Sequence, residues 1–405
     1  MFKKPELLKH HNFSKLYFAG FTSELGSFVT DTAIMLLVFA LSAGDKSFLG
    51  SSRAIFLFCI TMGSLLGGPL GVRFNKRNLL IVSEIMRIPV VISLFFFHSI
   101  YFIMIANGLI GFFTGIYNPC RQAVINEIVP EHDIKMANSL FGGTMAVLHL
   151  AGPLLGATLF SYFHGVKQIL GFDLLTYILG IYLLFQIKYN FIEKEKNLAN
   201  SFSGNIKSDF IDGYKYVSTR LDLSAMLLCT IVIGFCIGVL IPLFLPFVKE
   251  VLGKGEQAYG INISLFGLGG IFGGYFSSHL GKRFKASRLF IMGVISEALL
   301  MALWIRTTNY YLNCIVGFVW GGLVFIRIPS QLNYISETVP KEFMSRVHSF
   351  LDLAFVTPNI SAGIILALIG NKLSTFEILN LVSILFILLL SASFFTKGMR
   401  TLLKA

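Results

Sequence analysis

The chain of 405 residues is 55% hydrophobic and only 13% charged, where a soluble domain carries roughly a quarter charged residues. That excludes a water-soluble protein, which would be left with bare apolar surface. The net charge of +12 could suggest a nucleic-acid partner, but the placement of the bases, set out below, excludes that class too.

A bilayer crossing takes about 20 mostly apolar residues. In chain order such stretches cover 13–43, 51–72, 79–98, 101–120, 138–163 and 168–189, then 222–248, 257–279, 287–306, 309–328, 347–370 and 374–396. They predict an all-α membrane protein of twelve helices, because backbone groups in lipid must be bonded within their own segment and no ten-residue alternation suggests a barrel. The polar interval 190–221 divides the chain into an N-terminal six-helix bundle over 1–189, a cytoplasmic linker, and a C-terminal six-helix bundle over 222–405. The polar, basic start MFKKPELLKHHNFSK carries no cleavable-signal pattern. With the N-terminus inside, 24 of the 33 Lys and Arg fall in inner segments and 7 in outer ones, while Arg87 and Arg327 lie within spans. By the positive-inside rule both termini are cytoplasmic, and the basic excess reports topology.

An ionisable side chain at mid-bilayer costs about 2.5–3.5 kcal/mol and marks function by default. The first span holds two, Glu24 and Asp31 in FTSELGSFVTDTA. Seven residues are close to two turns, so both lie on one face, roughly 10 Å apart. Either is suited to carry a coupling proton; the other reading is a permanently paired or hydrated carboxylate. Glu84 and Arg87 in the third span, three residues apart, predict an intrahelical pair near the inner surface. Arg327, in VFIRIPSQ toward the inner end of the tenth span, has three roles open: binding an anionic substrate group, pairing with Glu24, or snorkelling to the interface. Asp173 and Asp352 are expected within a turn or so of their helix starts, reaching water. His149 is expected to pack. The five scattered Cys read as small hydrophobes. There is no metal-ligand spacing, P-loop or partnered nucleophile, so neither an enzyme nor a metal site is expected.

Two phrases recur. NPCRQAVINEIVP at 118–130 and IPSQLNYISETVP at 328–340 share Pro119/Pro329, Ile125/Ile335, Glu127/Glu337, Val129/Val339 and Pro130/Pro340, at an offset of 210. GPLGVRFNKR at 68–77 and GYFSSHLGKR at 274–283 follow the second and eighth spans, at an offset of 206. Two parallel halves related by an axis along the membrane normal are a known transporter architecture. Glycines line the fourth span (Gly108, Gly111, Gly115) and the eighth (Gly267, Gly269, Gly270, Gly273, Gly274), predicting close-contact surfaces.

These residues resemble the major facilitator superfamily. Gly68, Leu70, Arg73, Lys76 and Arg77 stand in register with its G-x-L-a-D-r-x-G-r-k motif, while Val72 and Ser278 occupy the places of the acid in the two halves. The phrase with Tyr117, Pro119, Arg121, Gln122, Ala123, Glu127, Val129 and Pro130, then Ala137, Asn138 and Leu140, is similar to the macrolide-efflux and siderophore (enterobactin-type) exporter branch of drug:proton antiporters. HLAGPLLGA resembles the antiporter signature of the fifth span through Gly152, Pro153 and Gly156; the matching stretch ISAGIILAL lacks a proline. The resemblance implies a central cavity lined by spans 1, 4, 7 and 10. Chosen by span membership, Phe28, Phe112, Tyr117, Asn118, Phe235, Phe325, Arg327 and Gln331 are candidate liners. It further implies a monomer in the bacterial cytoplasmic (inner) membrane, exporting a drug-like compound or siderophore by proton antiport, with the proton as coupling ion and no cofactor. Glu84 and Arg87 join the loop and fifth-span motifs as conformational elements. A lysophospholipid or nutrient transporter, and a sensor that has ceased to transport, are the alternatives.

Overall fold

The computed structural model describes residues 6–188, 211 and 213–404, so most of the expected linker lies outside the described residues. Within them the regular structure is helical. The long helices are α1 (His11–Leu41), α2 (Lys46–Arg73), α3 (Lys76–Ser93), α4 (Ile100–Ile128), α5 (Ile134–Phe163), α6 (Lys167–Phe185), α7 (Leu221–Pro246), α8 (Glu256–Leu280), α9 (Ala286–Arg306), α10 (Tyr310–Thr338), α11 (Lys341–Ile369) and α12 (Thr375–Phe394). A short α13 (Lys397–Lys404) follows, and a π-helical turn, Phe247–Val251, extends α7. Ten of the described helices are long and apolar enough to cross a membrane. The other two long ones fall short for visible reasons: α3 carries Lys76, Arg77, Glu84 and Arg87, and glycines and polar residues dilute α8.

Several helices outrun the apolar stretches that announced them. The GPLGVRFNKR motif is mostly helix, because α2 continues to Arg73 and only Phe74 and Asn75 link it to α3. The Asn75 side chain accepts from the Arg77 and Asn78 N–H groups, an N-cap that satisfies orphan donors. Likewise α4 runs on through Arg121 and Glu127 to Ile128, placing residues expected in an inner loop on a helix face. Ser374 and Glu377 form a capping box that starts α12.

The chain forms two compact units: Met1–Ala43 with Ile55–Gly204, and Gly44–Ala54 with Asn205–Ala405. The first turns of α2 therefore belong to unit 2, where Gly50 backs onto the Gly363 carbonyl of α11. In unit 1, α1 packs on α4, α5 and α6, and α3 on α4 and α6. In unit 2, α7 packs on α11 and α12, α8 on α10, and α9 on α10 and α12. One contact repeats at the offset of the duplicated phrase. A Cβ on Gly111 of α4 would meet the Phe56 carbonyl oxygen of α2 at 3.0 Å. On Gly321 of α10 it would collide with the Phe266 carbonyl of α8. Backbone lies on backbone at both places, so only glycine fits.

Unit 1 is filled at one end by Phe13, Leu16, Leu80, Val124 and Leu184, all fully buried. Unit 2 buries both tryptophans of the chain: Trp304 lies 4.3 Å from Phe247 and 6.1 Å from Trp320 between ring centroids. Exposed aromatics sit at helix ends that the positive-inside rule puts outside: Tyr101, Tyr162 and Tyr311 are 66%, 76% and 76% exposed. Amphipathic rings at such depth form an interfacial belt.

Candidate functional site

Several charged residues of unit 1 meet between α1, α3, α4 and α6. Arg121 of α4 donates through Nη1 to Glu24 Oε1 of α1 at 2.9 Å, both side chains about 15% exposed (15% and 16%). Tyr117, one turn back on α4, is buried between two guanidinium groups, with Arg121 5.7 Å and Arg87 5.3 Å from its ring centroid. Arg87 of α3 donates to Ser23 of α1 at 3.4 Å, stands 3.7 Å from Glu84, and lies 5.4 Å from the Tyr177 ring of α6. Tyr177 in turn contacts Ser27 of α1 at 3.3 Å between hydroxyls. Expectation and structure agree on the Glu84–Arg87 pair but differ on its setting, since both residues are fully buried.

Arg327 neither pairs with Glu24 nor snorkels. It is buried in unit 2, where Nε donates to Glu297 of α9 at 2.8 Å and Nη1 to Gln331 at 3.4 Å. Gln331 passes the chain on to Thr230 of α7 at 3.0 Å. The two clusters occupy matching places: at the offset of 210, Arg87 corresponds to Glu297 and Tyr117 to Arg327. One pair of backbone positions thus holds a cation on an aromatic ring in unit 1 and an ion pair in unit 2.

Other expected site residues are not gathered. Asp31 is exposed on α1 two turns from Glu24. Phe28 meets the His149 ring edge-on at 4.4 Å, on the seam where α5 approaches α1. Gly152 makes that approach possible, because a Cβ there would press on Phe28, and Gly156 likewise lies against Val29 and Thr32. Pro153 is inside α5; the matching stretch of α11 has no proline, although Pro358 lies in α11 just before it. Phe325 packs over Gly270 between α8 and α10. Phe235 lines an apolar cavity of about 170 Å³ with Val239, Leu366 and Val382. Phe112 stacks edge-on with Phe113 at 5.5 Å, and Asn118 is half-buried beside Pro119.

The loop motif builds the inner end of unit 1. Lys76 Nζ, 8% exposed, pairs with Glu127 at 2.6 Å, tying the start of α3 to the end of α4. Arg77 donates to the Leu184 and Phe185 carbonyls at 3.0 and 2.6 Å, closing the C-terminus of α6. Gly68 has nothing within reach of a Cβ, Arg73 is exposed, and the Ser278 side chain lies outside the described residues. In unit 2 the matching Lys282, Arg283 and Glu337 are all exposed. Asp173 and Asp352 do not reach water at helix starts as expected: Asp173 is fully buried nearly two turns into α6, and Asp352, though exposed, is three turns into α11. Arg121, Asp173, Tyr177 and Glu297 were missed as site residues. Asp173 and Glu297 carry the same intramembrane-charge signal that singled out Glu24.

The family model of the Major Facilitator Superfamily matches residues 16–362. The uncharacterized MFS-type transporter YfmI of Bacillus subtilis (strain 168) is 24% identical over 378 residues, 88% of this chain and 90% of that protein. The multi-drug resistance efflux pump PmrA homolog of Lactococcus lactis subsp. lactis (strain IL1403) is 22% identical over 293 residues, 71% of this chain and 69% of its own length. Among solved structures, a mutant of the nucleoside transporter NupG has a TM-score of 0.77 at 10% identity, over 94% of this chain and 99% of that one. At that identity the likeness is one of fold.

Proposed function

Since the chain belongs to the Major Facilitator Superfamily, and so is a multi-pass secondary transporter, we propose that it exports a small organic molecule, drug-like or a siderophore, by proton antiport from the bacterial cytoplasmic membrane. The observation that carries this reading is the ion pair of Glu24 and Arg121 on α1 and α4. A proton on Glu24 dissolves the pair and frees a guanidinium for an acidic or hydrogen-bonding group of the cargo; loss of the proton re-forms it. Asp31, exposed two turns along the same helix, offers a second carboxylate for a cationic group or for the proton. The likeness to an efflux pump homolog supports the direction. The reaction needs no cofactor, and the proton gradient supplies the energy.

The test uses everted membrane vesicles energised by respiration, with a pH-sensitive dye inside. Adding a transported compound should release protons from the vesicles, and the Asp31→Asn and Glu24→Gln proteins should lose that release while still reaching the membrane. Uptake by intact cells without proton release from vesicles would instead support a nutrient or lysophospholipid transporter of the same fold.

A further inference from the structure

The polar cluster of unit 1 is unbalanced. Glu24, Glu84 and Asp173 supply three carboxyl groups, and Arg87 and Arg121 two guanidinium groups. The matching cluster of unit 2 is balanced, with one carboxylate, Glu297, on one guanidinium, Arg327, and neither has a buried atom lacking a hydrogen bond. In unit 1 several buried atoms lack one: Asp173 Oδ2, both Glu84 carboxylate oxygens, the Tyr117 hydroxyl, and Arg87 Nε and Nη2. A buried ionised carboxylate without a cation is so costly that it neutralises instead.

The three acids differ in their access to positive charge. Glu24 is hydrogen-bonded to Arg121 at 2.9 Å, and Glu84 is 3.7 Å from Arg87. Asp173, fully buried, has no ion pair among the described residues; its neighbours are hydroxyl groups, that of Thr176 at 3.5 Å from Oδ1 and those of Thr30 and Tyr177. Groups from several helices stand around it. From α1 come Gly26, whose missing Cβ gives the carboxyl its space, the unpartnered Thr30 hydroxyl, Ser23 and Ser27. From α3 come Arg87 and Glu84, and Arg87 also lies 5.3 Å from the Tyr117 ring of α4; Thr176 and Tyr177 belong to α6 itself. We propose that Asp173 is a proton-binding site of unit 1, distinct from the acids of α1, which holds one proton inside the membrane against the back of α1 and so makes the five-group cluster neutral. The proton comes from bulk water, and the partly exposed Glu24 is the end of the cluster nearest to it. The protonated carboxyl gains an O–H donor where a carboxylate could only accept. The site stands whether or not export is driven by protons.

The experiment reads the proton directly and needs no substrate. Infrared spectra of the purified protein in lipid at neutral pH should contain a protonated-carboxyl band that is missing from Asp173→Asn and retained in Glu24→Gln, Asp31→Asn and Glu84→Gln. Asp173→Asn should also melt no lower than the parent, since an amide has the shape of a neutral acid, whereas Glu297→Gln should melt lower by leaving Arg327 a buried lone cation. An unchanged band in Asp173→Asn overturns the proposal, as does a fall in its melting point as large as that of Glu297→Gln. Should Asp173→Asn fail to fold, Glu84→Gln decides: a retained band supports Asp173, and a lost one moves the proton to Glu84 and overturns the assignment. Failure of the vesicle test leaves these readings untouched, so the two ideas fall separately.

Discussion

At the scale of single residues, what matters is whether each buried charge has a partner. Removing one member of a buried ion pair typically costs about 3–5 kcal/mol, because the other charge is left unpaired, while replacing both by apolar groups is often neutral. Glu297→Gln should therefore sharply lower the melting point, and the double variant Glu297→Leu with Arg327→Met should recover most of it, as read by size-exclusion thermal melts. The pair of Glu24 and Arg121 is wetter and should behave differently. Arg121→Glu places two carboxylates together and should impair folding; exchanging both residues should restore folding without restoring proton release, because the carboxylate has then moved from α1 to α4. These partners show where the sequence spoke and where it did not. An acid or base inside an apolar stretch is visible at once, and Glu24, Asp31, Arg87 and Arg327 were found that way. Which partner it takes is not visible, since nothing linear connects Arg327 to Glu297 on another helix. Asp173 was misjudged because distance from a helix start says little about which face meets α1.

At the scale of helices, small residues set the distances. Gly111 and Gly321 each lie under the carbonyl of a neighbouring helix, so a side chain there must push backbones apart. Overpacking of this sort costs about 1–3 kcal/mol, occasionally more. Gly321→Val should give lower yield and an earlier melt than the parent, whereas Gly68→Ala should be silent in both, because its Cβ would enter open space. Comparing the two by fluorescence-detected chromatography separates packing glycines from motif glycines. This layer was partly legible: the stripes on α4 and α8 announced close contacts, but not which helix each would touch. The true helix ends were less legible. Polar residues such as Arg121 and Glu127 continue a helix once its backbone is bonded and their charges are paired, so hydropathy alone stops too early.

At the scale of the whole molecule, the duplication was readable from two short phrases, and the paired contacts of Gly111 with Phe56 and Gly321 with Phe266 give it a physical basis. The chemistry laid on the duplicated frame is unequal. Lys76 and Arg77 fasten α3, α4 and α6 in unit 1, while their counterparts Lys282 and Arg283 face solvent. Lys76→Ala should thus destabilise the protein by about 1 kcal/mol or less, given that Glu127 is 38% exposed, and so lower the melting point, and Lys282→Ala should leave it unchanged. The same inequality extends to the tryptophans. The chain has only two, Trp304 and Trp320; both are about 1% exposed or less, and neither indole N–H has a hydrogen-bond partner. Excited at the red edge of the ultraviolet, the protein therefore emits from one place alone: a dry aromatic nest in unit 2, shifted to short wavelength, with unit 1 optically silent. Any cargo that dims or reddens that glow is reporting a rearrangement around α9 and α10, and one acting solely on Glu24 and Arg121 will leave the glow unchanged.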